Sequence, residues 1–236
     1  LSKPINLFEY ELLAKQHLST MALDYYRSGA GDEITLKENR AAFSRYQIRP
    51  RMLVDVSDRY LGTSIFGEYF SMPILIAPMA FQCLAHPEGE IATAKAAAKL
   101  GVGMVLSTMS TKSLEDVAQV RQDAPQWFQL YIHRDRGLTK ALVERAEVAG
   151  FSALCLTVDA PVLGIRERDR RNQFTLPSGM ELANLEMMAA LKIPKTEGSN
   201  ETVQNWTTLA KRAFLLSINL VLLSISSSFC LPRTKN

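Results

Sequence analysis

The sequence predicts an α/β fold built on parallel strands: a (β/α)8 barrel represented by about four βα units, behind an N-terminal helical extension. Three observations carry this. Short apolar runs recur at 74–78 (ILIAP), 102–107 (VGMVLS), 127–131 (WFQLY) and 153–158 (ALCLTV). Each is too short for a helix and nearly apolar throughout, as strands buried on both faces are. Their starts are 28, 25 and 26 residues apart, with helical patterns between them, which is the rhythm of strand, crossover helix, strand. A doubly wound sheet shares that rhythm. However, no G-x-G-x-x-G follows the first run, and the turn A-P-M-A-F-Q holds no glycine, which favours the barrel.

Taken in order, residues 8–26 read as one or two helices ending before Ser28-Gly29-Ala30-Gly31, and a further helix covers 34–44. Residues 45–73 look irregular or like short strands. The helix at 87–100 opens on Pro87 and acids, carries lysines near its end and stops at Gly101. Ser113 is placed to cap the segment LEDVAQV, and the helix at 138–149 stops at Gly150. The chain thus divides into 1–73 (helical extension), 74–205 (the first part of the barrel) and 206–236 (an apolar tail).

At 47% hydrophobic residues and a net charge of only +3, most of the chain is excluded from disorder. Cys83, Cys155 and Cys230 lie far apart with no C-x-x-C pair, so neither a disulfide framework nor a thiolate zinc site is supported. A reducing, cytoplasmic setting is expected, and the opening LSKPINLFEY does not read as a basic-then-apolar signal peptide. The positive balance comes from the tail. After Glu201 no acid occurs, while Lys211, Arg212, Arg233 and Lys235 add four charges, leaving 23 basic against 24 acidic side chains before them. No basic face interleaved with aromatics accompanies this, so no nucleic-acid partner is expected.

In a parallel barrel the reactive groups sit at the carboxyl ends of the strands. Those ends carry Pro78, Met79 and Ala80, then Ser107, Thr108 and Met109, then Gln129 and Tyr131, then Thr157 and Asp159. Together they suggest a polar ligand site. Singly, Ser and Thr also cap helices, and a Tyr can wedge in a rim. Arg166 in GIRERDRR suits a bidentate hold on a carboxylate, whereas Arg168, Arg170 and Arg171 read as a solvated charge run. His17, His86 and His133 read as surface or capping residues, and no metal-binding motif such as H-E-x-x-H occurs.

The strings DYYRSGAGDEITLKENRAAF, SMPILIAPMAFQCLAHPEGE, LSTMSTKSLEDVA, FQLYIHRDR and LTVDAPVLGIRERDRRNQF resemble the FMN-dependent α-hydroxy acid oxidases and dehydrogenases, of the glycolate and lactate oxidase type. The resemblance covers residues 3–205. It implies a TIM barrel of the FMN-linked oxidoreductase type, with FMN as cofactor. The implied reaction oxidises an (S)-2-hydroxy acid to the 2-keto acid, with O2 reduced to hydrogen peroxide. It makes Tyr25 the substrate-carboxylate tyrosine, Tyr131 the catalytic tyrosine near the substrate hydroxyl, and Arg166 an arginine beside the substrate. Pro78, Met79, Ala80, Ser107, Gln129 and Thr157 match positions lining the flavin. Met109 replaces a tryptophan of plant glycolate oxidases, which implies a pocket for a larger acid such as L-lactate.

The same resemblance implies motifs that do not occur in these residues: L-V-K-G, the S-N-H-G-x-R-Q carrying the catalytic histidine, and D-G-G-x-R-x-G and G-R for the phosphate. The expectation is therefore that this chain alone does not turn over. Four strands would leave two open edges, which predicts self-association; a non-catalytic half-barrel binding module is the alternative reading. The tail has 19 mostly apolar residues at 213–231. It reads as out-of-frame sequence, as a helix covering the last strand's edge, or as a membrane contact making a tail-anchored peripheral protein. Membrane association is the less favoured of these, because serines interrupt the run.

Overall fold

A computed structural model describes residues 3–159, 163–190 and 228–232, with only the backbone at 187–190 and 228–232. In chain order the elements are α1 (Leu7–His17), α2 (Thr20–Arg27), α3 (Ile34–Ala41), β1 (Thr63–Ile65), β2 (Glu68–Phe70), β3 (Leu75–Ile76), α4 (Gly89–Leu100), β4 (Gly103–Leu106), α5 (Leu114–Gln119), β5 (Gln126–Leu130), α6 (Arg136–Val148), β6 (Ala153–Thr157), α7 (Glu167–Arg171), α8 (Ala183–Ala190) and β7 (Ser228–Pro232). They fall into two units. One joins Leu1–Arg59 to Gly164–Ser178, and the other joins Tyr60–Leu163 to Gly179–Asn236.

In the first unit the expected run 8–26 is two helices, each with its own N-cap. Asn6 accepts from the Glu9 N–H at 3.0 Å while the Glu9 carboxylate accepts from the Ile5 N–H at 3.0 Å, a reciprocal capping arrangement. Ser19 starts α2 by accepting from the Ala22 N–H at 3.2 Å. Helix α1 buries no residue, whereas α2 buries Ala22 and Asp24. Helix α3 tightens into a 3-10 turn at Ala42–Arg45.

In the second unit the four apolar runs supply β3, β4, β5 and β6 of one five-stranded sheet, ordered β3-β4-β5-β6-β7 and parallel from β3 to β6. Alternation splits the side chains into two layers. Met104, Leu106, Phe128 and Leu130 pack with Ala94 and Ala97 of α4, Leu114 and Val117 of α5, and Leu142 and Ala146 of α6. Val105, Trp127, Ala153 and Cys155 pack with Phe70 on the other layer. The β1–β2 hairpin turns at Phe66 and Gly67, both at positive φ (53° and 81°), as a tight hairpin requires. It is tied to the strand starts through Glu68, which accepts from Trp127 Nε1 at 3.1 Å and from the Ser152 hydroxyl.

Gly103 lies under this hairpin. A Cβ there would stand 2.5 Å from Phe70 Cε1 and 3.1 Å from Leu75 Cγ. Gly103→Ala is therefore expected to destabilise the chain by about 1–3 kcal/mol through overpacking. Urea denaturation checks this; an unchanged midpoint contradicts it.

The described end of the tail is a strand, and the covering-helix reading at 213–227 lies outside the described residues. This strand, β7, pairs antiparallel with β6, setting Ala153 opposite Pro232 and Thr157 opposite Ser228. The physical reason is that the outer N–H and C=O groups of β6 need ladder partners, which a strand supplies and a helix does not. One of the two edges expected to be open is thus paired. The rest of the tail, on which the out-of-frame and membrane readings turn, lies outside the described residues. Among the described residues, no helix is long and apolar enough to cross a membrane.

Candidate functional site

Three of the strand-end residues singled out in the sequence form one hydrogen-bonded row. Gln129, 2% exposed, follows Phe128 on β5. Its Oε1 accepts from the Thr108 N–H at 3.1 Å and from the Ser107 hydroxyl at 3.4 Å, while its Nε2 donates to Thr157 Oγ1 at 2.9 Å. The row crosses the carboxyl ends of β4, β5 and β6. The Thr108 hydroxyl donates to the Gln129 carbonyl at 2.5 Å, fixing the glutamine's backbone as well. Ser107 also accepts from the Met109 N–H at 3.1 Å, so its turn-forming role exists beside any ligand role. Pro78, Met79 and Ala80 follow β3, with Met79 about half exposed. Their loop meets the next one where the Phe81 N–H donates to the Met109 carbonyl at 3.2 Å.

Tyr131 follows β5 directly. Burial pushes its phenol above the ordinary value, and the Asp159 carboxylate adds to the shift. The group therefore stays an O–H donor throughout the neutral range.

The first unit holds Tyr25 and Arg166 together. The Arg166 guanidinium lies over the Tyr25 ring at 4.7 Å, a cation–π contact. It donates to the Tyr25 carbonyl and, at 3.3 Å, to the Ser28 hydroxyl. Its Nε faces Asp169 Oδ2 at 2.9 Å. Burial raises the Asp169 carboxyl above its usual range, Arg166 opposes that, and Asp24 adds to it. Phe174 also stacks on Tyr25, at 4.7 Å and 14°. Arg168, read from the sequence as solvated, instead faces Glu33 at 3.5 Å and Asp24 at 3.7 Å. The acids responsible stand about 135 and 144 residues earlier, so no local pattern shows them.

Two of the three histidines are caps, as expected: His17 Nδ1 lies 2.8 Å from the Leu13 carbonyl, and His86 Nδ1 accepts from the Glu88 N–H at 3.2 Å. His133 differs. Its Nε2 is buried and makes no hydrogen bond among the described residues. Burial holds its pKa below the ordinary value, and Asp135 only partly opposes this. The unfolded chain therefore takes up this proton first, near its ordinary pKa of about 6.5. Stability is expected to fall as pH drops below that value. Urea midpoints at two pH values on either side of it check this. The pH dependence should shrink in His133→Gln, and an equal slope in both proteins contradicts the assignment.

Sequence reasoning missed Glu90 and Asn184, both fully buried. An acid in the first turn of a helix ordinarily reads as an exposed partner of the helix dipole. Nothing local marks either residue as buried. Among the described residues no group of three His, Cys, Asp or Glu could hold a metal ion.

These strand ends suit a flavin ring. Its pyrimidine edge alternates acceptors with an N–H donor, and Ser107, Gln129 and Thr157 offer hydroxyls and a carboxamide, which can both donate and accept. The comparisons give the family. A model of the family described as FMN-dependent dehydrogenase matches residues 14–218. The chain is 68% identical over 203 residues to an L-lactate oxidase of Nostoc sp., covering 85% of this chain and 56% of that one. To glycolate oxidase 3 of Oryza sativa subsp. indica it is 52% identical over 194 residues, covering 82% and 53%. Among solved structures, mandelate oxidase with (S)-4-hydroxymandelic acid superposes with a TM-score of 0.74 at 42% identity, covering 77% of this chain and 50% of that one. The chain spans about half the length of the relatives it matches. With the family model over most of its length and parallel strands whose polar ends suit a flavin, the chain belongs to the FMN-dependent dehydrogenase family of hydroxy acid oxidases, whose fold is the TIM barrel.

Proposed function

We propose that these residues form part of an FMN-dependent oxidase that converts a small (S)-2-hydroxy acid, L-lactate before glycolate, to the 2-keto acid with O2 reduced to hydrogen peroxide. The row Ser107–Gln129–Thr157 carries the reading, because it gathers polar groups from three parallel strand ends where such barrels bind ligands. Bound FMN supplies the two-electron acceptor. Gln129, Ser107 and Thr157 orient its polar edge, and Pro78, Met79 and Ala80 back the ring. Tyr131 offers a neutral phenol to the substrate hydroxyl. Arg166, held on Tyr25, supplies positive charge for a carboxylate, and Tyr25 a phenol. The preference for L-lactate rests on Met109, smaller than a tryptophan, and on the identity of 68% against 52%.

The family's catalytic histidine motif does not occur in these 236 residues. A base must lie within hydrogen-bond reach of the proton that it removes. The chain alone is accordingly expected not to turn over, and the strand-end row is expected to take up FMN. The test is the visible spectrum of the purified chain after adding FMN and removing the unbound fraction, before and after L-lactate. A retained flavin band that L-lactate does not bleach supports both statements. A spectrum without flavin overturns the expectation that these strand ends take up FMN in this chain alone, and bleaching overturns the inactivity.

A further inference from the structure

We propose that Glu90 is a positioning residue of the flavin and substrate site: its buried carboxylate clamps the loop after β3 to the loop after β4, and so fixes where Ala80 and Met109 stand. The inference rests on the functional reading above for what Ala80 and Met109 meet, and on the geometry of unit Tyr60–Leu163 for the clamp itself.

Glu90 sits in the first turn of α4, fully buried. Four hydrogen bonds end on its two oxygens. Oε1 accepts from the Gln82 N–H at 3.0 Å and the Thr111 N–H at 3.0 Å, and Oε2 accepts from the Thr111 hydroxyl at 2.7 Å and the Lys112 N–H at 3.2 Å. All four donors lie in the two loops. Gln82 begins two residues after Ala80, and Thr111 two after Met109. The Thr111 hydroxyl also accepts from the Cys83 N–H at 3.1 Å, so the carboxylate and this one hydroxyl join both loops. Between Ala80 and Gln82 the backbone turns through Phe81 at φ 59°, a left-handed conformation that a bulky residue keeps only when its surroundings enforce it. The bond to the Gln82 N–H is part of that enforcement. On its far side the second loop is anchored by Asn184, which donates to Ser110 Oγ at 2.8 Å and accepts from the Leu114 N–H at 2.9 Å. Met109 therefore stands on a loop pinned from both sides.

Charge-assisted bonds to a buried carboxylate are among the strong ones, and its removal takes this acceptor from the N–H groups of Gln82, Thr111 and Lys112. Glu90→Gln keeps the volume but leaves one acceptor oxygen and turns an NH2 group toward donors. Hydrogen exchange and FMN titration, run on the full chain and on Glu90→Gln, test the inference. The amides of Gln82, Thr111 and Lys112 should exchange at least about tenfold faster, with Trp127–Leu130 unchanged as a marker of the intact sheet. If the held loop conformation falls to about a tenth of the population, the dissociation constant for FMN rises about tenfold, and the flavin band changes shape. Thr111→Val, which removes one hydroxyl and spares the carboxylate, should give a smaller change in the same direction; it decides the matter if Glu90→Gln does not fold. Unchanged exchange at the three amides overturns the clamp. Faster exchange with an unchanged FMN affinity and spectrum overturns the positioning role. If the unsubstituted chain takes up no FMN, it is the functional reading that falls, and the exchange comparison alone then decides the clamp.

Discussion

Gln129→Leu is expected to weaken FMN binding by at least about a hundredfold, equivalent to about 2.7 kcal/mol, while the chain stays folded. The glutamine is nearly fully buried and serves three partners at once, in Ser107, Thr108 and Thr157. Leucine fills similar space but offers no polar atom. On the proposed reading it removes a group placed to meet the cofactor's polar edge, and it releases the hydroxyls of Ser107 and Thr157 from a fixed orientation. It also strips the Thr108 N–H of its acceptor, at a cost of about 1–3 kcal/mol in stability. Thr157→Val, which removes only the end of the row, should weaken binding less. Equilibrium dialysis with FMN measures both, and equal affinities for Gln129→Leu and the unsubstituted chain contradict the assigned role.

Phe128→Ala should carry the largest loss of stability, about 3–5 kcal/mol. Phe128 is fully buried in the middle of β5 and packs edge-to-face on Phe151 at 5.8 Å and 70°. It lies in the same layer as Leu106, Leu114 and Leu142. Its neighbours are held on their own strands and helices, which limits collapse into the vacated space. Since domains are stable by only about 5–15 kcal/mol, this single change is expected to remove a large share of the total. Urea unfolding followed by circular dichroism reads it, and a loss below about 1 kcal/mol contradicts the core assignment.

The sheet was legible because its signal is local. Expected runs at 102–107, 127–131 and 153–158 appear as Gly103–Leu106, Gln126–Leu130 and Ala153–Thr157, since doubly buried strands must be apolar in sequence as well as in space. Helix ends were legible for the same reason. Gly101 and Gly150 adopt positive φ (64° and 86°), and Ser113 caps α5 through the Asp116 N–H at 3.1 Å. The family motifs also lie within single stretches, so resemblance reached them.

What the sequence concealed is non-local. The segment Gly164–Ser178 joins the N-terminal residues through contacts such as Asn172 Nδ2 to Asp24 Oδ2 at 2.9 Å, across 148 positions that no periodicity spans. Glu90 looked like a surface acid because its four donors lie in loops before and after its own helix. His133 looked like a surface or capping residue because burial depends on what packs over it, and the lack of a hydrogen bond to its Nε2 among the described residues has no sequence mark. The strand at Ser228–Pro232 was hidden for a related reason: an edge recruits whatever segment can extend along it.

The central claim is that the carboxyl ends of β4, β5 and β6 meet the flavin's polar edge. The most direct measurement is the side-chain amide resonance of Gln129 in 15N-labelled chain, assigned by its loss in Gln129→Leu and followed as FMN is added. The account predicts that the Gln129 NH2 signals shift on binding, together with the backbone amides of Ala80 and Met109, while those of Leu142 and Ala146 on α6 stay in place. FMN binding that leaves the Gln129 signals unmoved, or that shifts the α6 amides instead, would contradict it.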